Sequence, residues 1–286
     1  MVTSSPTPRY DRIVSLVLLV LIGLAVVFLI DINPNNFRAR LGADLPLITL
    51  SWVLVASLVV ITITGADLFI RSHPQMQTRA LPTINLGVVQ LELAPAFWIL
   101  PAFAIVAPFA FFRLFSPLLE TTAAIIALAA TGGLLLAALL GQHYALDRRP
   151  SVQHSARLIL QTVALLMAFS MFSATYYARL RFLYSGALIG LTGALLAYAL
   201  LQWAAPRGGL LVLAGMVGIA LAEATWALNY WAASFLLGGA LLLVIFYVAI
   251  GLVQNHLEGT LSRRVLWEYG LLGGGLLAAV VLAAFR

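Results

Sequence analysis

The sequence predicts an all-α fold, a polytopic integral membrane bundle of about nine transmembrane helices, with eight as the alternative count. Three observations lead there. Residues are 63% hydrophobic and only 9% charged, where a soluble domain carries roughly 25% charged residues. Mean hydropathy is +1.04, so the bilayer is the solvent. The apolar residues also fall into runs of the length a spanning helix needs, about 20 residues, and the breaks between runs carry turn chemistry or charge.

The elements follow in order. Met1–Tyr10 is short and polar, with Pro6 and Pro8. Arg9 and Arg12 precede the uncharged run Ile13–Ile30. That run exceeds a signal-peptide core and no small-x-small pattern closes it, so it reads as a retained first helix. Asn33-Pro34-Asn35-Asn36 turns the chain toward a second span, Leu45–Ile70. The third segment, Ala94–Phe112, contains Pro95, Pro101 and Pro108. Proline frees backbone carbonyls that another group must satisfy, so this segment is either one kinked span or a re-entrant hairpin. Thr121–Gln142 and Leu158–Tyr177 flank the break Asp147-Arg148-Arg149-Pro150. Phe182–Trp203 and Gly208–Leu228 flank Pro206-Arg207-Gly208-Gly209, and Ala233–Val253 and Tyr269–Phe285 complete the set. The turn between the seventh and eighth segments is very short; fusing them gives the eight-helix count. The expected organisation is a short cytoplasmic tail (1–12) and a single transmembrane domain (13–286).

All 16 basic residues are Arg, and the formal charge is +6. They are scattered between apolar runs, which suits topology and lipid headgroups rather than nucleic acid. With nine spans, one side carries Arg9, Arg12, Arg71, Arg79, Arg148, Arg149, Arg157, Arg207, Arg263 and Arg264, and the other the remaining six. The positive-inside rule then puts the N-terminus in the cytoplasm and the C-terminus outside. Trp52, Trp98, Trp203, Trp226, Trp231 and Trp267 all fall near predicted helix ends, as interfacial belts do. Cys is absent, which excludes disulfides and Cys-ligated zinc or iron–sulfur clusters.

Several segments repeat small residues every fourth position: Ala129, Gly133, Ala137 and Gly141; Gly186, Gly190 and Ala194; Ala214, Gly218 and Ala222; Gly270, Gly274 and Ala278. That spacing puts them on one face and lets backbones approach closely, for packing within the bundle or against a partner. Gly141-Gln142-His143-Tyr144 before Asp147 is echoed by Gln254-Asn255-His256 before Glu258.

Few polar residues lie within spans. Glu223 is the only formally charged side chain between Gly208 and Leu257. A carboxyl at bilayer depth is costly and calls for a partner or a hydrated cavity. Three roles suit it: a structural carboxyl, a proton- or cation-binding group on a solute path, or a contact to a partner's Arg. Asn229 and Tyr230 are candidates to line the same pocket mouth. Asp67 and Arg71, four apart in acid-first order, predict a helical ion pair. His73, His143, His154 and His256 fall on the predicted cytoplasmic side with Asp147 and Glu258. His143, His256 and Glu258 are therefore candidate functional residues, but the spacing is no metal signature. No span has a central His for a bis-His haem. Phosphate-loop, Gly-x-Ser-x-Gly and His-Glu-x-x-His motifs are missing. No catalytic residue, cofactor or metal is therefore assigned.

Trp226-Ala-Leu-Asn229-Tyr230-Trp231, Gly238-Gly239, Phe246-Tyr247, Gly251, Gln254-Asn255-His256-Leu257-Glu258-Gly259 and Arg263-Arg264 resemble an uncharacterised family of multi-pass membrane proteins from green non-sulfur bacteria, over roughly residues 223–268. The resemblance implies a bacterial inner-membrane protein and no established activity. The leading expectation is a non-catalytic accessory or assembly subunit, with the bilayer and a membrane-protein partner or second copy as its contacts. The alternative is a secondary transporter or channel-like protein using Glu223. A lipid-modifying enzyme ranks last.

Overall fold

A computed structural model describes residues 10–31, 38–39, 48–77, 83–85, 90–92, 94–147, 149–178, 180–204, 209–230 and 234–284. Helices dominate these: α1 (Tyr10–Asp31), α2 (Leu50–Arg71), the single turn α3 (Pro74–Gln77), α4 (Pro95–Phe112), α5 (Ser116–Ala145), α6 (Pro150–Tyr177), α7 (Phe182–Leu201), α8 (Leu210–Asn229), α9 (Phe235–Glu258) and α10 (Arg263–Ala284). Strands are two or three residues long. β1 is Arg38–Ala39 and β2 is Ile48–Thr49, while β3 (Thr83–Asn85) pairs antiparallel with β4 (Gln90–Glu92), Ile84 opposite Leu91.

The protein is an all-α, multi-pass membrane protein. Among the described residues eight helices are long and apolar enough to cross a bilayer: α1, α2 and α4 to α9. The ninth predicted segment falls in α10, whose first turns hold Arg263, Arg264 and Glu268. The seventh and eighth segments are separate helices, α8 and α9. α6 starts at Pro150, eight residues before the apolar run, because proline suits a first helical position and the added turns are polar. The turn at Asn33–Asn36, Asp44, Arg148, Pro206-Arg207-Gly208, Trp231 and the tail up to Arg9 lie outside the described residues.

The proline-rich third segment is one continuous helix, α4, with Pro101 and Pro108 inside it. Pro101 has no N–H for the carbonyl four residues back, that of Phe97. The Gln142 side chain supplies the missing donor, its Nε2 lying 3.1 Å from the Phe97 oxygen. Several hydroxyls inside other helices bond the carbonyl one turn back, as Thr62 does on Leu58, Ser170 on Leu166 and Thr225 on Leu221. With no water in the hydrocarbon, this local closure keeps Ser and Thr tolerable there.

The chain divides into two compact units. The first comprises α1, Ile48–Pro108 and Ala124–Val163, around buried Leu24, Ile70, Leu100, Leu135, Leu139 and Leu160. The second comprises Phe109–Ala123 and the chain from Ala164 onward. Phe172 and Phe246 meet edge to face in its core, with ring centres 6.0 Å apart.

The small-residue spacing has different fates in different helices. In α7 and α8 it makes a seam. A methyl group on Gly218 would sit 2.5 Å from the Gly190 carbonyl oxygen, and one on Gly190 would sit 2.8 Å from that of Gly218. The two backbones therefore touch, as small residues permit. In α5, Gly141 meets Leu160 of α6 while Gly133 faces open space, as do Gly270 and Gly274 of α10.

Candidate functional site

Two polar sites result, one in each unit. The first lies where α2 and α5 end. Asp67 accepts a hydrogen bond from Arg71 Nε at 2.5 Å, the predicted i,i+4 ion pair. Trp98 of α4 adds a second donor, its Nε1 2.8 Å from the other carboxylate oxygen. One turn beyond α2, buried His73 meets buried His143 of α5, with ring centres 4.7 Å apart and planes nearly perpendicular. Phe69 lies against His143 at 5.4 Å. The Gln75 backbone N–H donates to His73 Nδ1 at 3.2 Å, which leaves the neutral ring's proton on Nε2. Burial holds the His73 pKa below the usual imidazole range; the neighbouring His143 adds to this and Asp147 opposes it. Tyr10 and Tyr144 join hydroxyls at 2.9 Å at the same end.

His154 and His256 do not join this cluster; both are exposed. Among the described residues no three His, Cys, Asp or Glu side chains converge as metal ligands. His256 and Glu258 belong to the end of α9, where Gly259 turns left-handed at φ 73°. The Thr260 N–H reaches the Asn255 carbonyl and the Gly259 N–H that of His256, which closes the helix in a Schellman motif. The echo between Gln142-His143 and Asn255-His256 is therefore one of letters: Gln142 serves another helix, whereas Asn255 Nδ2 bonds Gly251 of its own.

The second site is the outward face of α8. Val212, Met216, Ile219, Glu223, Trp226 and Tyr230 are all exposed and follow a three-or-four spacing, so they form one stripe. Glu223 has no hydrogen-bond or ion-pair partner among the described residues. Trp226 Nε1 lies 3.3 Å from the Tyr230 hydroxyl, which adds a second polar feature to the stripe. Asn229 parts from its expected neighbours: its Nδ2 turns to Ser185 of α7, 3.4 Å away. Six residues separate it from Glu223, which rotates it off the stripe, whereas seven keep Tyr230 on it.

Sequence reading missed Trp98 and Gln142 as site residues and did not single out His73. A signal existed for Gln142. A proline inside a spanning helix announces an orphan carbonyl, and a lone Gln in an apolar run is a donor looking for one.

These features define a multi-pass helical membrane protein with a polar cluster of Asp67, Arg71, Trp98, His73 and His143 in one unit and, in the other, a carboxyl that has no partner among the described residues on an exposed helix face. The chain belongs to the family described as Protein of unknown function (DUF5656), which matches residues 32–283. The match takes in both sites apart from Tyr10 and extends far beyond residues 223–268. No curated protein and no solved structure matches the chain.

Proposed function

We propose that this protein is a non-catalytic accessory or assembly subunit of a membrane complex, docking through the outward face of α8. The single observation that supports this is Glu223, which has no partner among the described residues and lies on an exposed apolar stripe. A carboxyl turned toward lipid costs free energy unless protonated or paired. A partner helix offering Arg, Lys or a hydrogen-bond donor removes that cost. The glycine seam with α7 occupies the opposite side of α8, away from this stripe.

The alternative, a secondary transporter using Glu223, needs the carboxyl on a hydrated path and has less support from an outward-facing side chain. By the same reading the protein sits in a bacterial inner membrane, its N-terminus in the cytoplasm, on the resemblance noted above and the arginine distribution.

The test is gentle solubilisation from native membranes, followed by native-gel mass and identification of whatever co-migrates. A defined heavier complex, lost in Glu223→Arg while the variant remains folded, is the expected result. A lone protomer from wild-type membranes overturns the reading.

A further inference from the structure

Between α1, α2 and α5 lies a cavity of about 390 Å³, lined by Arg12, Ile13, Leu16, Gly65, Leu68 and Phe69, with Leu139 at its base. Its lining is apolar apart from Arg12. Leu139 and Ile13 are buried, while Leu68 and Arg12 are exposed, so the cavity opens outward. Leu16 packs beside Gly65, which sets Arg12 level with the last turn of α2, at the edge of the spans. Gly65 keeps the space open: a methyl group there would sit 2.7 Å from Leu16 Cδ1 and push that side chain. No acid pairs with Arg12 among the described residues. Asp67, the acid on the adjoining helix, is already engaged by Arg71 and Trp98.

We infer that this groove is a binding site for one anionic phospholipid. Its phosphate sits on the Arg12 guanidinium, which matches a phosphodiester in shape and charge, and an acyl chain lies along Leu16, Gly65 and Leu68. A zwitterionic lipid adds a cation beside Arg12 and fits less well. The site belongs to the first unit and does not depend on the docking face of α8.

The test is native mass spectrometry of the detergent-purified full chain with added phosphatidylglycerol or phosphatidylcholine of identical chains. Wild type retains one phosphatidylglycerol in preference to phosphatidylcholine. Arg12→Gln lowers that retention about fivefold, the worth of one arginine near an anionic surface, and Arg12→Lys, which keeps the charge but loses the planar fork, falls between the two. Gly65→Leu fills the groove and abolishes retention; should it fail to fold, Leu68→Trp, at an exposed position, blocks the mouth instead. Millimolar glycerol phosphate leaves the adduct in place, because the chain as well as the headgroup is held. Equal retention of the two lipids, unchanged retention in Arg12→Gln, or displacement by glycerol phosphate overturns the proposal.

Discussion

Asp67 and Glu223 are both carboxyls in membrane-spanning helices, and their surroundings differ in kind. Asp67 takes a hydrogen bond from Arg71 on its own helix and another from Trp98 on α4. Glu223 takes none among the described residues and lies on a stripe of exposed apolar side chains. The first is a finished structural element whose charge is neutralised where it stands. The second has no such partner among the described residues. Composition treats the two acids alike; only the helix face on which each lies separates a paired carboxyl from an exposed one.

The largest effect is expected where Glu223 gets its orientation. Any side chain at Gly218 meets the Gly190 backbone, which cannot swing away as a side chain can. Gly218→Leu should destabilise the protein by about 3 kcal/mol or more, measured as loss of the folded peak in detergent size exclusion. A well-folded variant would show that the α7–α8 contact is looser than described. Asp67→Leu strands the Trp98 indole N–H and loosens Arg71, at a cost of about 2–3 kcal/mol. Glu223→Leu should leave the isolated protein within about 0.5 kcal/mol of wild type, or more stable, while abolishing partner binding. Thermal unfolding of both in the same detergent gives the two signs. Equal losses would mean that Glu223 has an internal partner after all.

How much was legible in the sequence follows the same division. The spans, the Asp67–Arg71 pair and the α7–α8 small-residue seam are patterns of spacing along one helix, and a helix fixes its own geometry. The α7–α8 seam needed only Gly190 and Gly218 at the right period. What remained hidden lies across helices. Trp98 reaches Asp67 from 31 residues away and His143 meets His73 from far along the chain. No local periodicity encodes such meetings. Nearness in sequence groups Asn229 with Glu223, and the turn of the helix carries it toward Ser185 instead. Likewise the three prolines left span and hairpin open, because the answer depended on a donor in another helix.

That donor offers a smaller, sharper test. Gln142→Leu leaves the Phe97 carbonyl without its side-chain partner, a cost of about 1–2 kcal/mol. Pro101→Ala restores a backbone N–H for the same carbonyl. In that background Gln142→Leu should cost less, with a coupling of about 1 kcal/mol in a double-mutant cycle of unfolding free energies. Additive effects would show that Gln142 and Pro101 act independently.

The smallest effect concerns the pH response of the polar cluster. His73 is held neutral by burial and by His143, with Asp147 opposing, so its folded pKa lies below its ordinary value of 6.5. Below 6.5 the unfolded chain takes up a proton that the folded chain resists. The stability due to neutral His73 is therefore fully present above pH 6.5 and is lost as pH falls through the folded value. His73→Asn retains an acceptor for the Gln75 N–H but cannot titrate. Its unfolding midpoint should vary less between pH 7 and pH 5 than that of wild type. The Glu223 face has no part in this, so Glu223→Gln should leave the contribution from His73 intact. If His73→Asn follows the wild-type profile, the acid sensitivity does not come from His73.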